Sequence, residues 1–217
     1  MSESTASRLE RPFSILHVCT GNIGRSPMAE YLMRAALHDR LGARADEFSV
    51  SSAGTWGCQG SGMEPFALLA VAERGLGTLQ PPPTEFRARE LTEDLLARAD
   101  LVLTATTEHR AHAVGLVPAV VRRTFTLKEF ARIAEALMSA TDSAALVPAI
   151  GTEDLRTQAF ACVRAASQFR GIAPRPGPGE DDVEDPIGAS QTIYRQRAEE
   201  IQRACTQALD LLLSARH

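Results

Sequence analysis

The sequence predicts an α/β fold: a doubly wound, mostly four-stranded parallel sheet with helices on both faces, plus a helical insert. Three observations predict it. Short apolar runs alternate with stretches of helical periodicity, the pattern of repeated βαβ units. The first run, Phe13-Ser14-Ile15-Leu16-His17-Val18, is apolar enough for a strand buried on both faces, as parallel strands are. The chain closes on one long amphipathic segment, 190–213, which needs a sheet to pack against.

The elements follow in order. Residues 1–12 are polar and are expected to form a disordered tail ahead of a single domain, 13–217. The first strand ends at Cys19. After a short loop, a helix is predicted from Pro27 to about Leu41, with Ser26 as its N-cap, Pro27 in its first turn and Gly42 as its stop. Phe48-Ser49-Val50-Ser51 alternates as a strand does. The segment Glu64 to Arg74 carries Phe66, Leu69 and the pair Leu68/Ala72 at helical spacing, before Pro81-Pro82-Pro83 breaks the chain. Thr92 caps a short helix, Leu101–Thr104 forms a third strand, and Thr124–Leu127 a fourth, followed by a helix from Lys128. An insert at about 131–182 contains a helix, Thr152 to Arg170, and a Pro/Gly-rich acidic loop, Ala173 to Asp182. It is expected to make a helical hairpin over one side of the site's mouth; the alternative is a decoration away from it. In the last helix Ile193, Arg197, Ile201, Ala204/Cys205, Ala208 and Leu212 share the inward face.

With 217 residues and 44% hydrophobic composition, the chain can bury a substantial core. A net charge of −4 gives no reason to expect a nucleic-acid partner, and no apolar run is long enough for a membrane span. Four cysteines without Cys-x2-Cys spacing suggest neither a zinc site nor a disulfide framework, so no metal or other cofactor is expected. Together with the lack of a signal peptide, this reads as a reduced, cytoplasmic protein.

The chemistry concentrates in Cys19-Thr20-Gly21-Asn22-Ile23-Gly24-Arg25-Ser26-Pro27. The loop joins the carboxyl end of a strand to a helix N-terminus, where free N–H groups and the helix dipole favour an anion. Gly21 and Gly24 let the backbone approach a bound group, and Asn22 tolerates positive φ. Arg25 can grip two oxygens of a phosphate-like group. Donors gathered around the Cys19 sulfur favour its thiolate, the nucleophilic form. Ligand sites of doubly wound sheets lie beyond the strands' carboxyl ends, where Cys19 sits.

This loop resembles the phosphate-binding loop of the low-molecular-weight protein tyrosine phosphatases, Val-Cys-x-Gly-Asn-x-x-Arg-Ser-Pro. The similarity continues in Met28-Ala29-Glu30, Ser52-Ala53-Gly54-Thr55, Arg87-Ala88-Arg89-Glu90-Leu91-Thr92, Ala99-Asp100-Leu101-Val102-Leu103 and Asp185-Pro186-Ile187-Gly188. The resemblance implies hydrolysis of phosphate monoesters through a cysteinyl-phosphate, on a phosphorylated protein or small phosphomonoester, with inorganic phosphate as product. It implies Cys19 as nucleophile, Arg25 as oxyanion clamp and Asp185 as general acid, with Asp181 and Asp182 as fallbacks read as solvated loop charges. Thr20, Gly21, Asn22, Ile23, Gly24 and Ser26 would bind phosphate. Ser52 would support Asn22, Trp56 would wall the cleft, and Ile187 would stand in the usual aromatic slot. His17 reads as a packed strand residue. Three departures stand out. Gly24 replaces a second loop cysteine, Ile187 an aromatic, and Phe86 and Thr106 the histidine and aspartate of the usual supporting network. Two other readings stay open: an arsenate reductase using an external thiol, since residues 80 to 130 contain no cysteine, and a non-catalytic phosphate-binding module.

Overall fold

The computed structural model describes residues 11–76, 79–139, 154–172 and 177–214. The tail expected over 1–12 and the centre of the insert lie largely outside the described residues, as do 173–176 of the acidic loop. Four parallel strands form one sheet in the order β2-β1-β3-β4: β1 Phe13–Cys19, β2 Phe48–Gly54, β3 Leu101–Thr104 and β4 Thr124–Thr126. Around them lie α1 (Arg25–Leu41), α2 (Pro65–Ala72), α3 (Glu93–Arg98), α4 (Thr107–Leu116), α5 (Leu127–Ser139), α6 (Leu155–Phe169) and α7 (Gln191–Leu212). The chain leaves β1 to pair on one side with β2, then crosses to pair on the other side with β3. Cys19 therefore ends the strand at which the winding reverses, where a crevice opens in such sheets.

Strand alternation divides the core. Phe13 and Ile15 of β1 join Leu101 and Leu103 of β3 under α1, α2, α5, α6 and α7. Leu16 and Val18 join Val102 on the opposite face, with Leu96 of α3 and Ala113 of α4. The same alternation puts His17 and Cys19 on the α1 side.

Several local expectations are corrected. Helix α1 begins at Arg25, with Gly24 as an N-cap that makes no side-chain bond, so Ser26 lies inside the first turn and its hydroxyl is free for the loop. In α2 the buried side chains are Ala67, Ala70 and Val71, while Leu69 is exposed; Glu64 caps the helix by accepting from the amides of Phe66 and Ala67. The inward face of α7 starts at Tyr194 and Ala198 rather than Ile193 and Arg197, because the Tyr194 ring packs edge-on against Phe66 at 5.8 Å. Thr92 does cap α3, accepting from Leu95 N at 3.3 Å.

The insert's described helix is not over the site. In α6, Phe160 packs edge-on against Phe13 at 5.1 Å, and Gln158 and Cys162 donate to the carbonyls of Ser214 and Leu211. Phe13 starts β1 and Cys19 ends it, six residues or about 20 Å away. This helix of the hairpin expected to cap the mouth instead packs at the sheet's far end, as the alternative reading has it, while residues 140–153 lie outside the described residues.

Candidate active site

The loop after β1 is shaped by what its carbonyls do. Cys19 O accepts from Thr55 N at 2.9 Å, Thr20 O from Trp56 N at 3.0 Å, Gly21 O from Cys58 N at 2.9 Å, Ile23 O from Glu64 N at 2.8 Å and Gly24 O from Met28 N at 3.1 Å. In a planar trans peptide the N–H points opposite to the C=O. The amides of Thr20, Gly21, Asn22, Gly24 and Arg25 are thereby turned away from those partners, toward the concave side of the loop. With the N-terminus of the 17-residue helix α1, they make a positive cradle without a formal charge. Gly54 permits the wrap of the 54–64 segment around the loop: a Cβ there would collide with the Thr20 carbonyl and lie 2.9 Å from Asn22 N.

Asn22 holds the loop's shape. It is fully buried, with φ of 55°, a value that asparagine tolerates better than most residues. Its Nδ2 donates to Ser26 Oγ at 2.9 Å and Ser52 Oγ at 2.8 Å, and its Oδ1 accepts from Arg89 N at 2.9 Å. Ser52 Oγ passes its own proton to Glu30 Oε2 at 2.7 Å. Burial holds the Glu30 carboxyl above its ordinary range. One asparagine thus ties the loop to α1, β2 and the strand-like segment before α3.

Cys19 lies at the base of this cradle, buried, with Sγ 3.0 Å from Ser26 Oγ. Arg25 is also buried; its Nη1 donates to Val183 O at 3.0 Å and its Nη2 to Asp185 Oδ2 at 2.6 Å. Asp185 is half-exposed at the mouth. Its other oxygen accepts from Ile187 N at 3.2 Å, a turn that the following Pro186 favours. The segment before it is anchored at each residue: Asp181 O accepts from Thr126 Oγ1 at 2.7 Å, Asp182 O from Lys128 Nζ at 3.1 Å, and Val183 N donates to Ala105 O at 2.8 Å. Asp181 and Asp182, expected as solvated charges, are both engaged. Asp181 pairs with Arg132 at 2.8 Å, and Asp182 accepts from Thr107 N at 2.8 Å.

The remaining predicted residues frame the opening. Trp56 is 75% exposed directly beside Thr20, and Ile187 is 54% exposed beside Asp185. Gly24 has open space where a Cβ would stand. Phe86, in the place of a histidine, is buried against Tyr31 at 6.4 Å between ring centres. His17 is buried with its Nε2 unpartnered, and burial pushes it down to about 3. Sequence reasoning missed His109: its Nε2 lies 2.8 Å from Thr20 Oγ1 and its Nδ1 2.8 Å from Thr106 Oγ1. Its only signal was Thr106-x-x-His109 at a helix start.

A family model described as low molecular weight phosphotyrosine protein phosphatase matches residues 14–143, more than half of the chain. The chain belongs to this family. Its fold, a four-stranded parallel sheet with flanking helices, is that of other low-molecular-weight phosphatases of known structure. A probable low molecular weight protein-tyrosine-phosphatase, EpsP of Ralstonia solanacearum, is 41% identical over 90 residues, which are 42% of this chain and 53% of that relative. The chain thus spans about half the length of that relative. A protein-arginine-phosphatase of Bacillus subtilis is 35% identical over 118 residues, 54% of this chain and 71% of the relative. Among solved structures, the YwlE mutant from Bacillus subtilis aligns with a TM-score of 0.62 and 26% identity, covering 93% of this chain and 99% of that one. Among the described residues of this low-molecular-weight phosphatase, no helix is long and apolar enough to cross a membrane.

Proposed function

We propose that this phosphatase hydrolyses phosphate monoesters on proteins, phosphotyrosine first among them, through a cysteinyl-phosphate intermediate. The observation that carries the reading is the meeting of Cys19, Arg25 and Asp185 at one mouth, with Arg25 Nη2 2.6 Å from Asp185 Oδ2 across a gap of 160 residues in sequence. A binding module would need the cradle but not the acid.

In the first step the Cys19 thiolate attacks phosphorus in line. The inward amides of Thr20, Gly21, Asn22, Gly24 and Arg25 and the Arg25 fork hold the equatorial oxygens. The S–P bond forms, the P–O bond to the leaving group breaks, and Asp185 gives its proton to the departing oxygen. In the second step the Asp185 carboxylate takes a proton from water as that water attacks phosphorus. The S–P bond breaks, releasing inorganic phosphate and regenerating the thiolate. Ser26 Oγ, 3.0 Å from the sulfur, donates to the thiolate and eases its departure. Asn22 and Ser52 hold the loop's shape, while the exposed ring of Trp56 and the smaller Ile187 form the walls. The wide, flat Trp56 face favours an aryl group.

The test is hydrolysis of p-nitrophenyl phosphate, with phosphotyrosine and phosphoarginine peptides assayed beside it and thiol-dependent arsenate reduction measured in parallel. Cys19→Ser should abolish turnover while retaining affinity for phosphate. Turnover surviving in that variant, or arsenate reduction without phosphoester hydrolysis, would overturn the reading. Two of the remaining thiols, Cys162 and Cys205, are buried in the core, which argues against a cysteine relay of the reductase kind. Faster turnover of the phosphoarginine peptide would move the substrate from an ester to a phosphoramidate without changing the assigned residues.

A further inference from the structure

Thr20 follows Cys19, and its side chain stands exposed at the mouth. Two nitrogens converge on its hydroxyl: His109 Nε2 at 2.8 Å and Arg25 Nη2, which donates, at 3.2 Å. The imidazole is buried and held from behind by Thr106, the N-cap of α4. Thr106 Oγ1 accepts from the His109 amide at 3.3 Å and lies 2.8 Å from Nδ1. The neutral ring is assigned the tautomer with its hydrogen on Nε2, in which Thr106 Oγ1 also donates to Nδ1. Burial, and then the charge of Arg25, push His109 down to about 4, which keeps the ring neutral near pH 7. The ring cannot drift, because the start of α4 is also tied to the acid loop through Thr107 N and Asp182.

The consequence falls on Thr20. In that tautomer its oxygen accepts from His109 Nε2 as it does from Arg25 Nη2, so both lone pairs are used. Its own proton has one direction left, away from both donors and into the mouth. We propose that the Thr20 hydroxyl is a further hydrogen-bond donor to the transferring phosphoryl group, and that His109 is the positioning residue that aims it. This rests on the phosphatase reading and adds to it a side-chain donor beyond the amides and Arg25. It also makes Thr106, His109 and Thr20 one connected side-chain network at the mouth.

Thr20→Val keeps the shape and removes the donor. Its kcat on p-nitrophenyl phosphate should fall about tenfold, the size of one hydrogen bond to a charged group, with KM changed less than about twofold. Thr20→Ser should recover most of the loss. His109→Ala should reproduce the Thr20→Val loss, and His109→Gln, whose amide N–H can replace Nε2–H, should restore much of it. The double variant Thr20→Val/His109→Ala should be no slower than either single one, because both remove the same donor. In a Cys19→Ser background, calorimetric titration with orthophosphate should show weaker binding when Thr20→Val is added. That arm reads the donor even if no phosphoester is turned over, which would sink the phosphatase reading alone. Thr20→Val within about twofold of wild type in both assays, losses that multiply in the double variant, or Thr20→Ser as slow as Thr20→Val would overturn the proposal.

Discussion

Arg25 and Asp185 are paired: Nη2 and Oδ2 are 2.6 Å apart, with the arginine side chain 6% exposed and the aspartate 45%. The proposed clamp and the proposed acid therefore hold each other directly. An incoming phosphoryl group offers Arg25 a dianion in place of one carboxylate oxygen. In the proposed mechanism Arg25 turns to that dianion and Asp185 is released to face the leaving group.

This exchange makes a prediction about leaving groups. Asp185→Asn should slow p-nitrophenyl phosphate least, because p-nitrophenolate departs with little protonation, and phosphotyrosine more. Equal losses on both substrates would remove Asp185 from the mechanism.

Arg25→Lys should cost about a hundredfold in kcat/KM, close to 3 kcal/mol, the scale of one lost transition-state donor. Lysine keeps the charge but cannot reach Val183 O, Thr20 and Asp185 from one rigid plane, as Arg25 does. Steady-state kinetics within a few-fold of wild type would contradict the assigned role.

Acid should destabilise the fold through its buried histidines. His17 is pushed down to about 3 and His109 to about 4, both below the ordinary 6.5. Between those values and 6.5 the unfolded chain binds protons that the folded chain refuses, so stability is full above 6.5 and falls as the pH drops. For His17 the slope is about 1.4 kcal/mol per pH unit; His109 acts in the same direction. Urea midpoints from pH 7.5 to 4.5 should show this fall, and His17→Leu should flatten it. An unchanged slope in that variant would refute the account.

Gly24 predicts a redox liability. The Cys19 sulfur faces Ser26 inside the loop, whereas Cys58 Sγ sits against Gly21, 3.3 Å from where its Cβ would be. Mild peroxide should drive Cys19 past the sulfenic acid to forms that dithiothreitol does not rescue. Since nothing obstructs a Cβ at Gly24, Gly24→Cys should fold, and its activity should return on reduction. Mass spectrometry finding a Cys19–Cys58 disulfide in the wild type, with full recovery, would assign Cys58 as a resolving thiol instead.

What could be read from the sequence followed from chain proximity. Cys19, the loop amides and Arg25 sit within a few residues, and Asp185, which the fold brings to Arg25, was marked by the proline behind it. Ser52 was found for the same reason, as part of a short motif. His109 was not, because its link to Thr20 spans 89 residues and exists only once β3 lies beside β1. Helix faces slipped where small or polar-tipped residues do the packing: Ala67 and Ala70 in α2, Tyr194 in α7. The insert's helix was readable from its period. Its place at the far end of the sheet was not, since apolar periodicity says that a face is buried but not against which end of a strand.

The contact between Phe13 and Phe160 gives that placement a meaning for the history of the chain. A strand has two ends, and in β1 they answer to different demands. At Cys19 the proposed reaction needs this one side chain in this one place. At Phe13 the demand is apolar packing against Phe48 and Phe160, which many combinations of apolar residues satisfy. A lineage can therefore lengthen, trade or discard what is attached at the second end while the first stays constant.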